Sequence, residues 1–247
     1  MRALFIFCAL LGHLSAEQLR LRDVIRLEGE TYHVQGIDVR GSRLFVSSVD
    51  RQEKRGLLFE FHLPSGRRVR SIEIHTGALY HPGGLMIEGG SLWIAIAEYR
   101  PHSQSVIQRR HLKTLSLEAS FAISDHIGAV AVTPDNVIGA NWDAHELYVW
   151  RRTGQLLRRI PNPTGIAFQD LKFVRGQLIG SGVRNGAAVI AWMRWPSLEL
   201  VREIHPGRTD RGVAFTQEGM ALAKRRLWLL PEDTPSRLFV FDLPSGW

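Results

Sequence analysis

Thiols are all but missing from this chain. Of 247 residues only Cys8 is a cysteine, and it lies in an apolar N-terminal segment. With that segment removed, no disulfide, thiolate metal site or cysteine nucleophile can form. Beyond residue 16 no apolar run approaches the roughly 20 residues of a membrane-spanning helix. No phosphate-binding glycine loop is present, and no His-Glu-x-x-His pair. The Gly-x-Ser-x-Gly elbow of serine hydrolases is absent, since Gly180-Ser181-Gly182 has the wrong spacing. Asn162-Pro163-Thr164 fails as a glycosylation acceptor because proline fills its middle position. The formal charge of +7 comes almost entirely from arginine, yet no arginine run exceeds a pair. Scattered arginine describes a solvated surface rather than a basic stripe, so no nucleic-acid partner is expected.

The N-terminus has a different character. Arg2 precedes the apolar run Ala3–Leu11, and Leu14-Ser15-Ala16 resembles a small-residue cleavage site before Glu17. Residues 1–16 read as a secretory signal peptide, with an uncleaved anchor as the alternative. The expected location is exported, periplasmic or extracellular, with no membrane span once the leader is cleaved. Residues 17–247 then form one domain, expected to be monomeric. A hydrophobic content of 45% over that length suits a single all-β core.

What the sequence does contain is a recurrence. Five times a turn-and-strand start lies eight residues before the first apolar residue of a second strand. The pairs are Gly36/Leu44, Gly84/Leu92, Ala129/Val137, Asp170/Leu178 and Gly219/Leu227. The first members stand 41 to 49 residues apart, the period of a propeller blade. Short β-branched and aromatic patterns broken by Gly, Pro, Asn and Asp predict four strands per unit. Inner strands are expected at Gly36–Val39, Gly84–Ile87, Ala129–Val132, Asp170–Phe173 and Gly219–Leu222. Trp150, Trp192, Trp195 and Trp228 are expected in the core. Phe59 and Phe61, like Phe239 and Phe241, should share one strand face between sheets. The fifth unit runs out of chain before a fourth strand, whereas Leu21–Leu27 stands ahead of the first inner strand. The fold class is therefore an all-β, five-bladed β-propeller, closed by an N-terminal strand that completes the last blade.

A propeller gathers equivalent positions around one axis. Aligned segments leading into the inner strands place His33, His81 and His126 at one position, and Gln35, Gln169 and Glu218 at another. The three imidazoles either hold a single divalent metal ion or cap backbone carbonyls of neighbouring blades. Asp143, Glu218 and His126 are the candidate proton-transfer groups. For the carboxylates the alternative is an ion-pair network between blades. Loops after the second strands carry Asp50-Arg51, Glu98-Tyr99-Arg100 and Asn141-Trp142-Asp143, among others. Glu98, Arg100, Asn141, Arg184, Glu232 and Arg237 from these loops are candidate ligand-binding groups. Gln35, Gln169, Asp170, Arg208, Asp210 and Arg211 complete that set. Convergent amides, imidazoles and opposite charges suit a small polar or anionic molecule.

The phrases His-Val-Gln-Gly-Ile-Asp-Val (from His33), Ala-Glu-Tyr-Arg-Pro (from Ala97) and Asp-His-Ile-Gly-Ala (from Asp125) carry a resemblance. Gly-Arg-Thr-Asp-Arg-Gly-Val (from Gly207) and Leu-Leu-Pro-Glu-Asp (from Leu229) carry it further. Together they resemble a family of secreted, mainly bacterial propeller proteins of unknown function, across essentially the whole mature chain. Val34-Gln35-Gly36-Ile37 and Phe215–Met220 are also similar to a short phrase of plant-type glutaminyl cyclases, which are five-bladed propellers. That likeness implies cyclotransfer, with Gln35 in the place of the enzymes' glutamine; His33 departs from their pattern. Two functions are carried forward. One is a metal-assisted hydrolase, lyase or cyclotransferase at the channel mouth. The other is a non-catalytic module that binds a ligand or protein.

Overall fold

The computed structural model describes residues 19–243. The predicted leader lies outside them. Blade I comprises β2 (His33–Arg40), β3 (Arg43–Asp50), β4 (Arg55–His62) and β5 (Arg67–Glu73). Blade II comprises β6 (His81–Glu88), β7 (Ser91–Ala97), β8 (Ser105–His111) and β9 (Leu117–Ile123). In blade III, β10 (Ile127–Val132) and β11 (Asn136–Asn141) lead through a 3-10 turn (Trp142–Ala144) to β12 (Glu146–Arg151) and β13 (Leu156–Pro161). Blade IV holds β14 (Ala167–Val174), β15 (Gln177–Arg184), β16 (Ala187–Arg194) and β17 (Glu199–Ile204). Blade V holds β18 (Glu218–Ala223), β19 (Arg226–Pro231) and β20 (Arg237–Asp242), and its outer strand is β1 (Arg20–Arg26).

The ring closes as the sequence predicts: β1 pairs antiparallel with β20, Val24 opposite Phe239 and Ile25 opposite Leu238. Ile25 and Leu27 are its buried anchors, packed with Trp228, Leu230 and Leu238. Ile25→Ala is expected to cost about 2 kcal/mol and lower the melting temperature by roughly 5 °C. An unchanged melting curve would show that β1 does not hold the ring.

The second strand of each blade is buried along nearly its whole length, so both of its faces pack against neighbouring sheets. Phe59 and Phe61 are buried together, as are Phe239 and Phe241. Trp150, Trp192 and Trp228 are buried and Trp195 packs partly against the core, as expected. The inner strands of adjacent blades touch all the way round. They come close enough at the axis that a Cβ on Gly36 would stand 2.5 Å from the Gly84 Cα.

The inner strands begin earlier than the apolar pattern suggests. Pairing runs on past the expected starts, so that His33 opposes Val49 and His81 opposes Ala97. Between these pairs and the axial core lies a β-bulge in each of blades I to IV. It falls at Val34/Gly36, Pro82/Leu85, Ile127/Ala129 and Phe168/Asp170. A bulge re-aims the side chains around it. Here it sits at the same level in four blades, and Gln35 and Gln169 occupy the bulged position.

Candidate active site

One mouth of the channel is a cavity of about 180 Å³. It is lined by His33, Gln35, His81, His126, Asn141, Asp143, Gln169 and Glu218, all expected from sequence, with Tyr99 and Trp142 beside them. All five inner strands, or the residues leading into them, supply the imidazoles, the glutamine amides and Glu218. The loops of blades II and III supply the aromatic wall.

Blade III is held by Asp125, whose carboxylate accepts from the His126 amide (2.8 Å), the Tyr148 hydroxyl (2.7 Å) and the Asn141 side chain (3.3 Å). The Asn141 side-chain oxygen in turn accepts the Glu146 amide. Asn141 is thus largely committed to its own loop. Asp143, in the left-handed region at φ 54, is exposed at the rim. His126 directs Nδ1 at the Glu98 and Arg100 carbonyls, 2.9 and 3.1 Å away, which makes Nδ1 the protonated nitrogen. Burial lowers its pKa, although those two hydrogen bonds oppose the shift.

His81 differs from its neighbours. It is 7% exposed, and neither ring nitrogen has a hydrogen-bond partner. Its ring lies 4.1 Å from that of Tyr99 and 5.2 Å from that of His126. Burial first, then the nearby His126, His33 and Arg51, hold its pKa well below the ordinary imidazole value. His81 is therefore neutral at neutral pH.

Across the cavity His33 Nδ1 stands 2.7 Å from a Glu232 oxygen. This contact first, then the charge of His33, holds Glu232 below the usual carboxylate range. Glu218 opens β18 at φ 114, a backbone region that side chains other than glycine rarely occupy. It is 5% exposed, and its Oε2 has no partner. Burial, reinforced by Glu232, raises its pKa well above the ordinary value. Metal-ligand atoms of His33, Glu218 and Glu232 all lie within 4.8 Å of one another. The three imidazoles do not converge this closely among the described residues, because His33 turns to Glu232.

The remaining predicted residues lie outside the cavity. Glu98 and Arg100 pair with each other at 2.7 Å beside the mouth. Asp170 sits beneath it, fully buried on backbone amides and Lys172. Arg184 forms a two-pronged pair with Glu203. Arg208 donates to the Gly212 and Gly186 carbonyls. Arg211 and Arg237 share Asp233, and Arg237 also takes Asp210, binding two loops of blade V together. These charges are spent on one another and on backbone carbonyls, and none of them lines the channel cavity.

One contributor reads from the sequence only as a loop residue. Arg51 lies 5.4 Å over the Tyr99 ring, bringing a cation to the mouth beside His81, Glu218 and Glu232. Its position directly after β3, where the other blades also place charged residues, was the only signal.

The opposite mouth is larger, about 670 Å³, but its buried charged groups are already paired. Asp38 accepts the Val39 and Ile87 amides, and Lys172 Nζ is held by Asp170 and the Leu85 carbonyl. Buried titratable groups without partners, His81 and Glu218, rather than volume, mark the smaller cavity as the candidate site.

The profile of a family of unknown function (DUF6454) matches residues 15–179, two thirds of the chain. No curated protein matches, so the glutaminyl-cyclase resemblance stays a likeness of short phrases. Among solved structures, the Pan2 WD40 domain of Neurospora crassa aligns with a TM-score of 0.52 at 12% identity, over 86% of this chain and 63% of that one. BamB from Moraxella catarrhalis aligns with a TM-score of 0.44 at 11% identity, over 85% and 60%. The computationally designed Ika4 protein gives 0.45 at 16%, over 69% and 98%. The first of these likenesses shows the fold alone, and the other two are too weak to carry an argument.

Proposed function

Since the chain belongs to the DUF6454 family, whose function is unknown, we propose a function from the channel mouth itself: proton-transfer chemistry on a small polar or anionic molecule in an exported protein. The observation that carries this reading is His81, buried with both ring nitrogens unpartnered in a cavity that opens to solvent. An imidazole kept neutral by its surroundings retains a lone pair for a substrate proton at neutral pH. Arg51 and Tyr99 offer a charged and a hydroxyl donor to an anionic group, and Trp142 offers an apolar wall. A cavity of this size admits a compact substrate or the end of a longer chain. Hydrolysis, elimination and cyclisation are the reactions such a proton acceptor serves. Export rests on the leader-like residues 1–16 and on a remainder without thiols.

The test is a thermal-shift screen of small carboxylates, amides and phosphate esters, followed by product analysis of each binder. His81→Gln is expected to lower turnover of any substrate found by about 10²- to 10⁴-fold while keeping its binding. Turnover unaffected by His81→Gln would overturn the assignment. A ligand bound tightly but never converted would instead make the protein a binding module.

A further inference from the structure

We infer that His33, Glu218 and Glu232 hold a single divalent metal ion at the channel mouth, of the zinc or manganese class, with coordination positions left for substrate. The inference deepens the reading of the mouth as a reactive site and rests on it. It differs from the three-imidazole set that sequence alignment suggests.

Four observations converge. Ligand atoms of the three residues lie within 4.8 Å of one another, and ligands of one ion with bonds of about 2 Å stand up to about 4 Å apart, so small side-chain rotations close the set around an ion. Glu218 is 95% buried by its 5% exposure, lines the cavity, and leaves Oε2 without a partner. A buried carboxyl oxygen with nothing to bind costs on the order of 1–3 kcal/mol, and a cation placed there removes that cost. Glu218 also keeps an unfavourable φ of 114, a strain that persists only where surrounding structure enforces it. Finally, His33 Nδ1 and a Glu232 oxygen stand 2.7 Å apart, close enough to be two ligands of one ion once the proton between them is released.

The donor set specifies the ion. One imidazole and two carboxylates, with no thiolate in reach, favour borderline to hard divalent metals over soft ones such as Cu(I). Three protein ligands are the pattern of reactive rather than structural sites, because the remaining positions stay open. The rest of the 180 Å³ cavity has room for water or a small anion in them. An ion there polarises an oxygen of the bound molecule, complementing His81, which takes no part in holding it. Arg51, standing over Tyr99, would contact the far end of the same molecule.

The test is calorimetric titration of the untagged, chelator-treated protein with Zn²⁺ and with Mn²⁺, and metal analysis after equilibrium dialysis. One ion per chain is expected. Glu218→Gln and Glu232→Gln should each weaken it by about 100-fold or more, whereas His81→Ala leaves it unchanged. Circular dichroism confirms that each variant is folded; should Glu218→Gln fail to fold, Glu232→Gln and His33→Phe decide alone. Wild-type binding in the folded carboxylate variants would overturn the inference, as would no binding in the wild type. So would binding lost in His81→Ala and His126→Ala but kept in Glu218→Gln, which would return the ion to the imidazoles. A small anion that still shifts the melting of the metal-free protein would leave the proposed function standing without the ion.

Discussion

Asp170→Asn is expected to destabilise the protein by about 3–5 kcal/mol, and to lower its melting temperature by on the order of 10 °C. Asp170 is 0% exposed and sits on the axis. Its Oδ2 accepts the Ile37 amide of blade I at 3.1 Å and the Met220 amide of blade V at 3.0 Å. Its Oδ1 accepts its neighbour Leu171 at 2.9 Å and Lys172 Nζ at 2.5 Å. Lys172 also donates to the Leu85 carbonyl of blade II at 2.7 Å. One carboxylate–ammonium pair therefore ties four blades together where no water reaches. Burial pushes the Asp170 carboxyl up to about 6, with Lys172 and the amides opposing that rise, so it stays ionised at neutral pH. Asparagine would turn an N–H towards an N–H and strand a buried ammonium. Pairing the change with Lys172→Met should recover part of the loss, giving a coupling above about 1 kcal/mol in a double-mutant cycle. A loss below about 1 kcal/mol for Asp170→Asn alone would refute the axial clamp.

Asp170 also marks where the sequence stops speaking. Its alignment with Gly36, Gly84, Ala129 and Gly219 places it on the inner strand of blade IV, and the structure agrees. Whether it faces ligand or backbone depends on a bulge one residue earlier, which no hydrophobic period reveals. The blades, the five inner strands and the closure by β1 were legible, because short β-branched and aromatic runs and the turn residues between them are local signals. The mouth was legible as a list, since equivalent positions in a ring must converge. Pairing within that list was not. Arg211 and Arg237 find Asp233 and Asp210, and Arg184 finds Glu203, because loop direction decides which charges meet. His33 leaves the imidazole set for Glu232 for the same reason. Arg51 reads as an ordinary loop cation until its place over Tyr99 is seen.

His81→Leu is expected to abolish turnover and, at the same time, to make the protein more stable by about 2–4 kcal/mol near pH 7. A neutral imidazole brings one donor and one acceptor, and burial leaves both without partners. Leucine fills similar volume with neither group, so the melting temperature should rise by roughly 5–10 °C. The gain depends on pH with a definite sign. His81 titrates well below 6.5 when folded because of burial and the facing charges of His126, His33 and Arg51; Tyr99 packs against it as well. Below pH 6.5 the unfolded chain therefore takes up a proton that the fold refuses, and stability falls as pH drops. One such group accounts for up to about 1.4 kcal/mol per pH unit. His126, lowered likewise, supplies a second share that the variant keeps. Replacing His81 should thus flatten, but not remove, the loss of stability on the acid side. Metal stoichiometry should be unchanged, since His81 is not a ligand. If leucine instead lowered the melting temperature, His81 would have a partner in the folded protein, and its role as a free proton acceptor would fall. A residue whose removal strengthens the fold and silences the site is kept for chemistry rather than for structure.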